Sequence, residues 1–254
     1  MLAVGGLRAI VLQLAHPAVG HGVADHSAFA ADPVARLHAT LSFVYVVADG
    51  DEALVAGVVR SVGRAHRPVV SARGEAIPYD ARDPELQRWV AATLHETALR
   101  MAELVWGPLP RPLADELLAR NGRFATVLGM PAALWPADSD GFDRYYREAS
   151  AALGFDDATA GVITELVAAR NAPLWVRASM PLLEAFTAPL LPPDLQARLG
   201  WSELPWRRAA AALVRWLVPV YRALPAAVRA LPSRRYVAAA RRSRGGPGLS
   251  PVAA

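Results

Sequence analysis

The chain has 254 residues, 54% hydrophobic and 20% charged, with a formal net charge of +4, enough material for one large globular domain with a sizeable core. It contains no cysteine and no lysine, which excludes disulfides, thiolate metal sites, cysteine nucleophiles, Schiff-base lysines and P-loop lysine chemistry. Alanine, leucine and arginine dominate while strictly alternating β-branched runs are nearly absent, so an all-α fold is expected, and any metal must be held by histidine or oxygen ligands.

The first predicted helix covers Leu7 to Leu14 and stops at His16-Pro17, because a residue before proline is driven out of helical geometry. A glycine-punctuated segment, GHGVADHSAF, follows. His16, His21 and His26 stand five apart, which on a helix turns each about 140° from the last; they could share a three-histidine metal site only if this segment were irregular. Asp32-Pro33 reads as an N-cap with proline in the first turn, opening a helix that runs to Asp49-Gly50. Arg36 and Thr40 share one of its faces with Phe43 and Val47, beside an apolar stripe of Leu37, Leu41 and Val44. That helix is apolar on most sides, so Arg36 is expected to point inward, where its guanidinium needs an acceptor. An internal carboxylate, a solvent-facing stem and a functional partner are all open at this stage.

The next helix runs from Asp51 or Glu52 to Arg67. Val55, Val58, Val59 and Val62 recur at helical spacing, and His66 extends the stripe within about 20° of Val55. Such a histidine is either a satisfied core residue or a ligand. Between Val69 and Pro84 the residues predict a loop of about fifteen positions. The helix from Pro84 to Trp106 turns Leu86, Trp89, Val90, Thr93, Leu94 and Thr97 inward, with His95 and Glu96 on its rim. Pro112 to Leu128 and Ser139 to Leu153 supply further helices, the second an amphipathic support. From Asp156 to Phe186 the pattern is broken at Pro173 and Pro181, and Leu204 to Tyr221 is helical up to a kink at Pro219. Leu224 to Arg242 predicts a last, arginine-rich helix, either a solvated face or a surface that rests on an anionic membrane. One helical domain over 1–244 and a disordered tail over 245–254 are expected. The arginines cluster only after Arg207, which argues against nucleic acid. No run of 18 uncharged apolar residues exists, so no transmembrane segment is expected and a cytoplasmic location is the default.

The stretches LQLAHPAVGHGVADHSAF, the arginine and threonine of DPVARLHAT, the histidine of VGRAHRPVV, IPYDARDPELQRWVAATL and the late LPAAVRALPSRRY occur in this order over nearly the whole chain. Together they resemble the oxygenase family of latex-clearing protein (the rubber oxygenase) and the fungal oxygenase MpaB. The resemblance implies an all-α fold enclosing one non-covalently held b-type haem, with His66 as the proximal iron ligand and Arg36 with Thr40 as the distal polar pair. His16 and Phe43 are further candidates for the haem surround. Dioxygen is the implied co-substrate and an apolar, unsaturated, often isoprenoid small molecule the implied substrate, cleaved in some members at a carbon–carbon double bond. In such chemistry the cofactor handles oxygen while the protein supplies orientation, a dry pocket and charge. Two departures from the rubber-cleaving branch matter: Ala39 stands where that branch has a lysine, and the nearest upstream carboxylate, Asp25, has a different spacing from that branch's glutamate base, with His26 as its rival. Rubber is therefore not the expected substrate. Two other readings remain beside this one: a haem- or ligand-binding helical protein without turnover, and a non-haem metal enzyme built on His16, His21 and His26.

Overall fold

The computed structural model describes residues 2–26, 33–170, 172–202 and 207–245. Among them the regular structure is helical: α1 (Leu2–Leu14), α2 (Pro17–His26), α3 (Pro33–Asp49), α4 (Glu52–His66), α5 (Pro84–Trp106), α6 (Arg111–Asn121), α7 (Arg123–Thr126), α8 (Ser139–Ala151), α9 (Asp157–Ala168), α10 (Leu174–Thr187), α11 (Pro193–Arg198), α12 (Arg207–Ala223), α13 (Ala226–Arg229) and α14 (Leu231–Gly245). The loop between α4 and α5 adds an isolated antiparallel bridge between Val70 and Asp80.

The molecule is organised around α5. The Asp83 side chain accepts a hydrogen bond from the Glu85 amide, Pro84 occupies the first turn, and Gly107, at φ 84°, ends the helix where a side chain would be strained. Three of its consecutive inward residues feed three separate apolar clusters. Trp89 packs with Leu12, Ile163, Leu195 and Trp201, Ala91 with Phe43, Val47, Leu54 and Phe124, and Ala92 with Leu118 and Phe142. A helix buried on so many sides positions its neighbours: α1, α6, α7 and α12 all lie against it. Thr93 and Thr97 are buried as expected.

His95 and Glu96 are not on the rim of α5; both are buried. The sequence pattern misplaces them because each is satisfied by a residue distant in the chain. Asn121 Nδ2 lies 3.0 Å from His95 Nδ1, and the Glu96 carboxylate pairs with the buried Arg8 guanidinium of α1. Arg8 also donates to Thr97 Oγ1 at 2.8 Å and to the Leu190 carbonyl at 2.8 Å, so one guanidinium ties α1, α5 and the turn after α10 together.

Three expectations about helix limits are corrected. The first helix begins at Leu2 rather than Leu7. The segment after Pro17 is helix α2, not an irregular glycine-rich stretch, because it lies so tightly on its neighbours: a Cβ on Gly20 would stand 2.5 Å from the Leu14 carbonyl oxygen and 2.5 Å from Thr159 Cγ2. Glycine here serves close packing rather than a turn. Pro181 lies inside α10, where burial of Met180 and Ala185 on either side offsets the hydrogen bond a proline removes.

The arginine-rich terminal segment divides into α13 and α14, and α14 docks along α3. Tyr236 stacks on Tyr45 with ring centroids 5.4 Å apart, its hydroxyl lies 2.6 Å from His38 Nδ1, Ser233 donates to Asp49, and Val237 is buried. The arginines at 234, 235, 241 and 242 stay exposed. Residues 246–254, nearly all of the expected tail, lie outside the described residues, as do Ser27 to Asp32. Among the described residues no helix is long and apolar enough to cross a membrane.

Candidate functional site

Helix α3 serves three neighbours at once, on faces that adjoin at 100° per residue. Phe43 and Val47 face α4 and the cluster around Leu54 and Val55, with Phe43 6.4 Å from the Phe124 ring. His38, Tyr45 and Asp49 meet α14. Leu37, Leu41, Val44 and Ala48 line a cavity of about 320 Å³ whose other walls include Gly6, Ile10, Val19, Val23, Leu94 and Phe124. Thr40 also lines this cavity and lies about 40° from position 36 on the helix. It therefore stands at the seam between the cavity face and the α4 face. The side chain of Arg36 lies outside the described residues, although its backbone is part of α3.

Helices α3 and α4 are joined by only Gly50 and Asp51, and the Asp51 carboxylate caps α4 by accepting from the Leu54 amide at 2.9 Å. So short a link folds the two helices back on each other. At 1.5 Å per residue, position 36 is about 21 Å of helix before the turn and His66 about 22 Å after it, so the two arms are of similar length. Along α4 the apolar stripe loses its cover toward His66: Leu54 and Val55 are buried, whereas Val58, Val59, Val62 and His66 are only half-buried. An apolar face that remains half-covered beside an imidazole is suited to a flat apolar ligand held through that imidazole.

The end of α2 arrives at the same place. Gly22 packs against Val69 and Tyr79, with a Cβ there standing 3.5 Å and 3.3 Å from their side chains. One turn later the Tyr79 hydroxyl donates to Asp25 Oδ2 at 2.9 Å, and the His26 ring meets Tyr79 edge-on at 5.6 Å. Burial and the neighbouring Asp25 carboxylate push the Tyr79 hydroxyl up to about 12, so the tyrosine stays a donor that pins the carboxylate. Tyr79 lies within the IPYDARDP stretch, but no spacing in the sequence singles it out; it joins the site because the α4–α5 loop folds onto α2.

The remaining candidates are dispersed. His16 lies 6.1 Å from the Trp89 ring, and burial lowers its pKa, offset by a backbone hydrogen bond and by the charge of Asp83; it does not line the cavity. His21 pairs with Asp156 at 2.6 Å, whose carboxyl is held at about 2 first by the Thr159 amide and also by His21. His16, in the bend before α2, and His21 and His26 on α2 thus engage three different partners, and among the described residues no three metal-binding side chains converge. The three-histidine metal site is not formed. Asn121 and Tyr45 also line the cavity, polar positions that carried no recognisable spacing in the sequence.

A model of the ER-bound oxygenase mpaB/B'/Rubber oxygenase catalytic domain matches residues 1–223. An uncharacterized protein of Mycobacterium bovis is 30% identical over 233 residues, covering 90% of this chain and 89% of its own length, and an uncharacterized protein of Mycobacterium tuberculosis matches with the same figures. No solved structure matches the chain.

Proposed function

We propose that this chain, which belongs to the mpaB and rubber oxygenase catalytic-domain family, is a haem b-dependent oxygenase that uses dioxygen on an apolar, unsaturated small molecule and opens it at a carbon–carbon double bond. The observation that carries the haem assignment is the half-covered valine stripe of α4 that ends in His66. These residues fit the group. His66 would hold the iron, Val58, Val59 and Val62 would wall one side of the macrocycle, and Phe43 would border it from α3. When bound, the haem supplies a redox-active iron for the activation of dioxygen.

The other groups have roles set by their positions. Arg36 and Thr40, about 40° apart on α3, would supply hydrogen-bond donors to negative charge that develops during the reaction. Thr40 lines the apolar cavity, so a substrate lying there reaches the same group. The cavity walls are mainly aliphatic and keep water from the reacting carbons. Asp25, pinned by Tyr79, and His26 beside it are the proton-accepting candidates at this end. The test is a visible spectrum of the purified, haem-supplemented protein followed by dioxygen uptake with a panel of isoprenoids. A Soret band that disappears in His66→Ala, with helical circular dichroism unchanged, and uptake that needs an unsaturated substrate are the expected results. Full haem retention in His66→Ala refutes the ligand assignment, and a Soret band without uptake across the panel leaves a haem-binding protein in place of an oxygenase.

A further inference from the structure

Gln13 and Asn121 both line the mainly aliphatic cavity, and hydrogen bonding on α5 dictates which end of each amide is left free. Gln13 Nε2 donates to Thr93 Oγ1 at 3.0 Å, while the single hydroxyl proton of Thr93 goes to the Val90 carbonyl at 2.7 Å. Thr93 Oγ1 can therefore only accept from Gln13, so this amide cannot be turned round and its carbonyl oxygen faces away from Thr93. Asn121 Nδ2 lies 3.0 Å from Nδ1 of His95, an imidazole that burial keeps neutral, which turns Asn121 Oδ1 away in the same manner. Neither carbonyl oxygen has a hydrogen-bond partner among the described residues, and neither is sealed within the protein.

The two amides enter from opposite flanks. Thr93 and His95 stand about 200° apart on α5 and about 3 Å apart along its axis, with Leu94 between them. Leu94, Thr97 and Ala98 form the α5 wall of the cavity, so Gln13 of α1 and Asn121 of α6 border that wall on its two sides. The other polar groups do not compete for the role. Thr97 Oγ1 accepts from Arg8, Asp49 accepts from Ser233, and the hydroxyls of Thr40 and Tyr45 turn to donate or to accept as required. None of the described lining residues is cationic.

We infer that the substrate is a hydroxyl-bearing compound, whose O–H donates to the Gln13 carbonyl oxygen with Asn121 as a second acceptor across the wall; this rests on the reading of the cavity as the substrate site. A ligand entering the cavity displaces water from both carbonyls, which is costly unless the ligand supplies a donor in exchange. A pure hydrocarbon or an ether supplies none. A carboxylate is worse, because it brings negative charge to two acceptor oxygens with no described cation on the wall.

The experiment is calorimetric titration of the full-length, haem-supplemented protein with geraniol, its methyl ether and geranic acid, after the Soret region of the same sample has been recorded. A site that accepts from a substrate O–H rejects the analogue without it, so geraniol should bind about tenfold or more tighter than the ether, and geranic acid should bind no better than the ether. Gln13→Met removes the acceptor at nearly constant volume and leaves the Thr93 bond to Val90 in place; with helical circular dichroism unchanged, it should reduce the preference for geraniol to about threefold or less. Equal affinity of the wild type for alcohol and ether overturns the inference, as does an undiminished preference in Gln13→Met. Binding of none of the three compounds removes the cavity as the substrate site, and the inference with it. A preference for the alcohol without a Soret band keeps the inference and removes the haem assignment, whereas a Soret band without the preference does the reverse.

Discussion

Acidification should weaken the fold through His95, by an amount that its surroundings set. The ring is 2% exposed, meets Phe142 edge-on at 4.6 Å and Trp135 at 6.2 Å, and has Asn121 Nδ2 3.0 Å from Nδ1. Burial lowers its pKa from 6.5 to about 4, so the folded protein keeps the imidazole neutral where the unfolded chain protonates it. Between those two values the unfolded state binds the extra proton, and stability therefore falls as pH drops from about 6.5 toward 4. At about 1.4 kcal/mol per pH unit the full window is worth about 3 kcal/mol, a sizeable share of the 5–15 kcal/mol typical of a domain. His16, lowered in the same direction, adds to the slope, so the assay must be differential. Urea unfolding of the wild type and of His95→Phe, at pH 7 and at pH 4.5, provides it. The variant loses the Asn121 contact at every pH but is free of the proton linkage, so the difference between the two proteins should shift in its favour by about 2–3 kcal/mol on acidification. Parallel pH profiles would refute the buried, neutral assignment.

Arg36→Ala and Thr40→Ala should each retain the Soret band while turnover falls on the order of 100-fold, the scale for losing one stabilising donor; unaltered turnover in both removes the distal assignment. Glu96→Ala leaves the buried Arg8 guanidinium without its carboxylate and should cost about 3–5 kcal/mol in chemical denaturation, whereas a loss under 1 kcal/mol would mean that Thr97 and Leu190 suffice. Ala169 closes α9 in the left-handed region at φ 45°, so Ala169→Gly should raise stability by about 1 kcal/mol, measurable as a higher urea midpoint. On the proposed haem assignment, with Ala39 in place of a lysine and no cysteine in the chain, the ferric haem-loaded protein should bind added imidazole readily. A low-spin bis-histidine spectrum persisting in both His16→Ala and His26→Ala would contradict that.

The local chemistry of the chain was enough to establish the all-α fold, the limits of α3, α4 and α5 to within a few residues, and the valine stripe ending in His66. These follow from proline, capping residues and 3.6-residue periodicity, which act over a few turns and need no distant partner. The family resemblance was also legible, since it rests on ordered motifs. What the linear pattern could not decide is where distant segments meet. Glu96 and His95 look like rim residues until Arg8 and Asn121, 88 and 26 positions away, arrive to satisfy them. GHG reads as a break until Gly20 is seen pressed against Leu14 and Thr159, and Tyr79 enters the site only when its loop closes on Asp25. The arginine-rich end divides in the same way: its charge is written in the sequence, but that α14 docks on α3 while α12 turns tryptophan and leucine outward depends on which apolar faces the rest of the core had room to bury. Burial is a competition among all segments for one interior, and only the folded chain settles it.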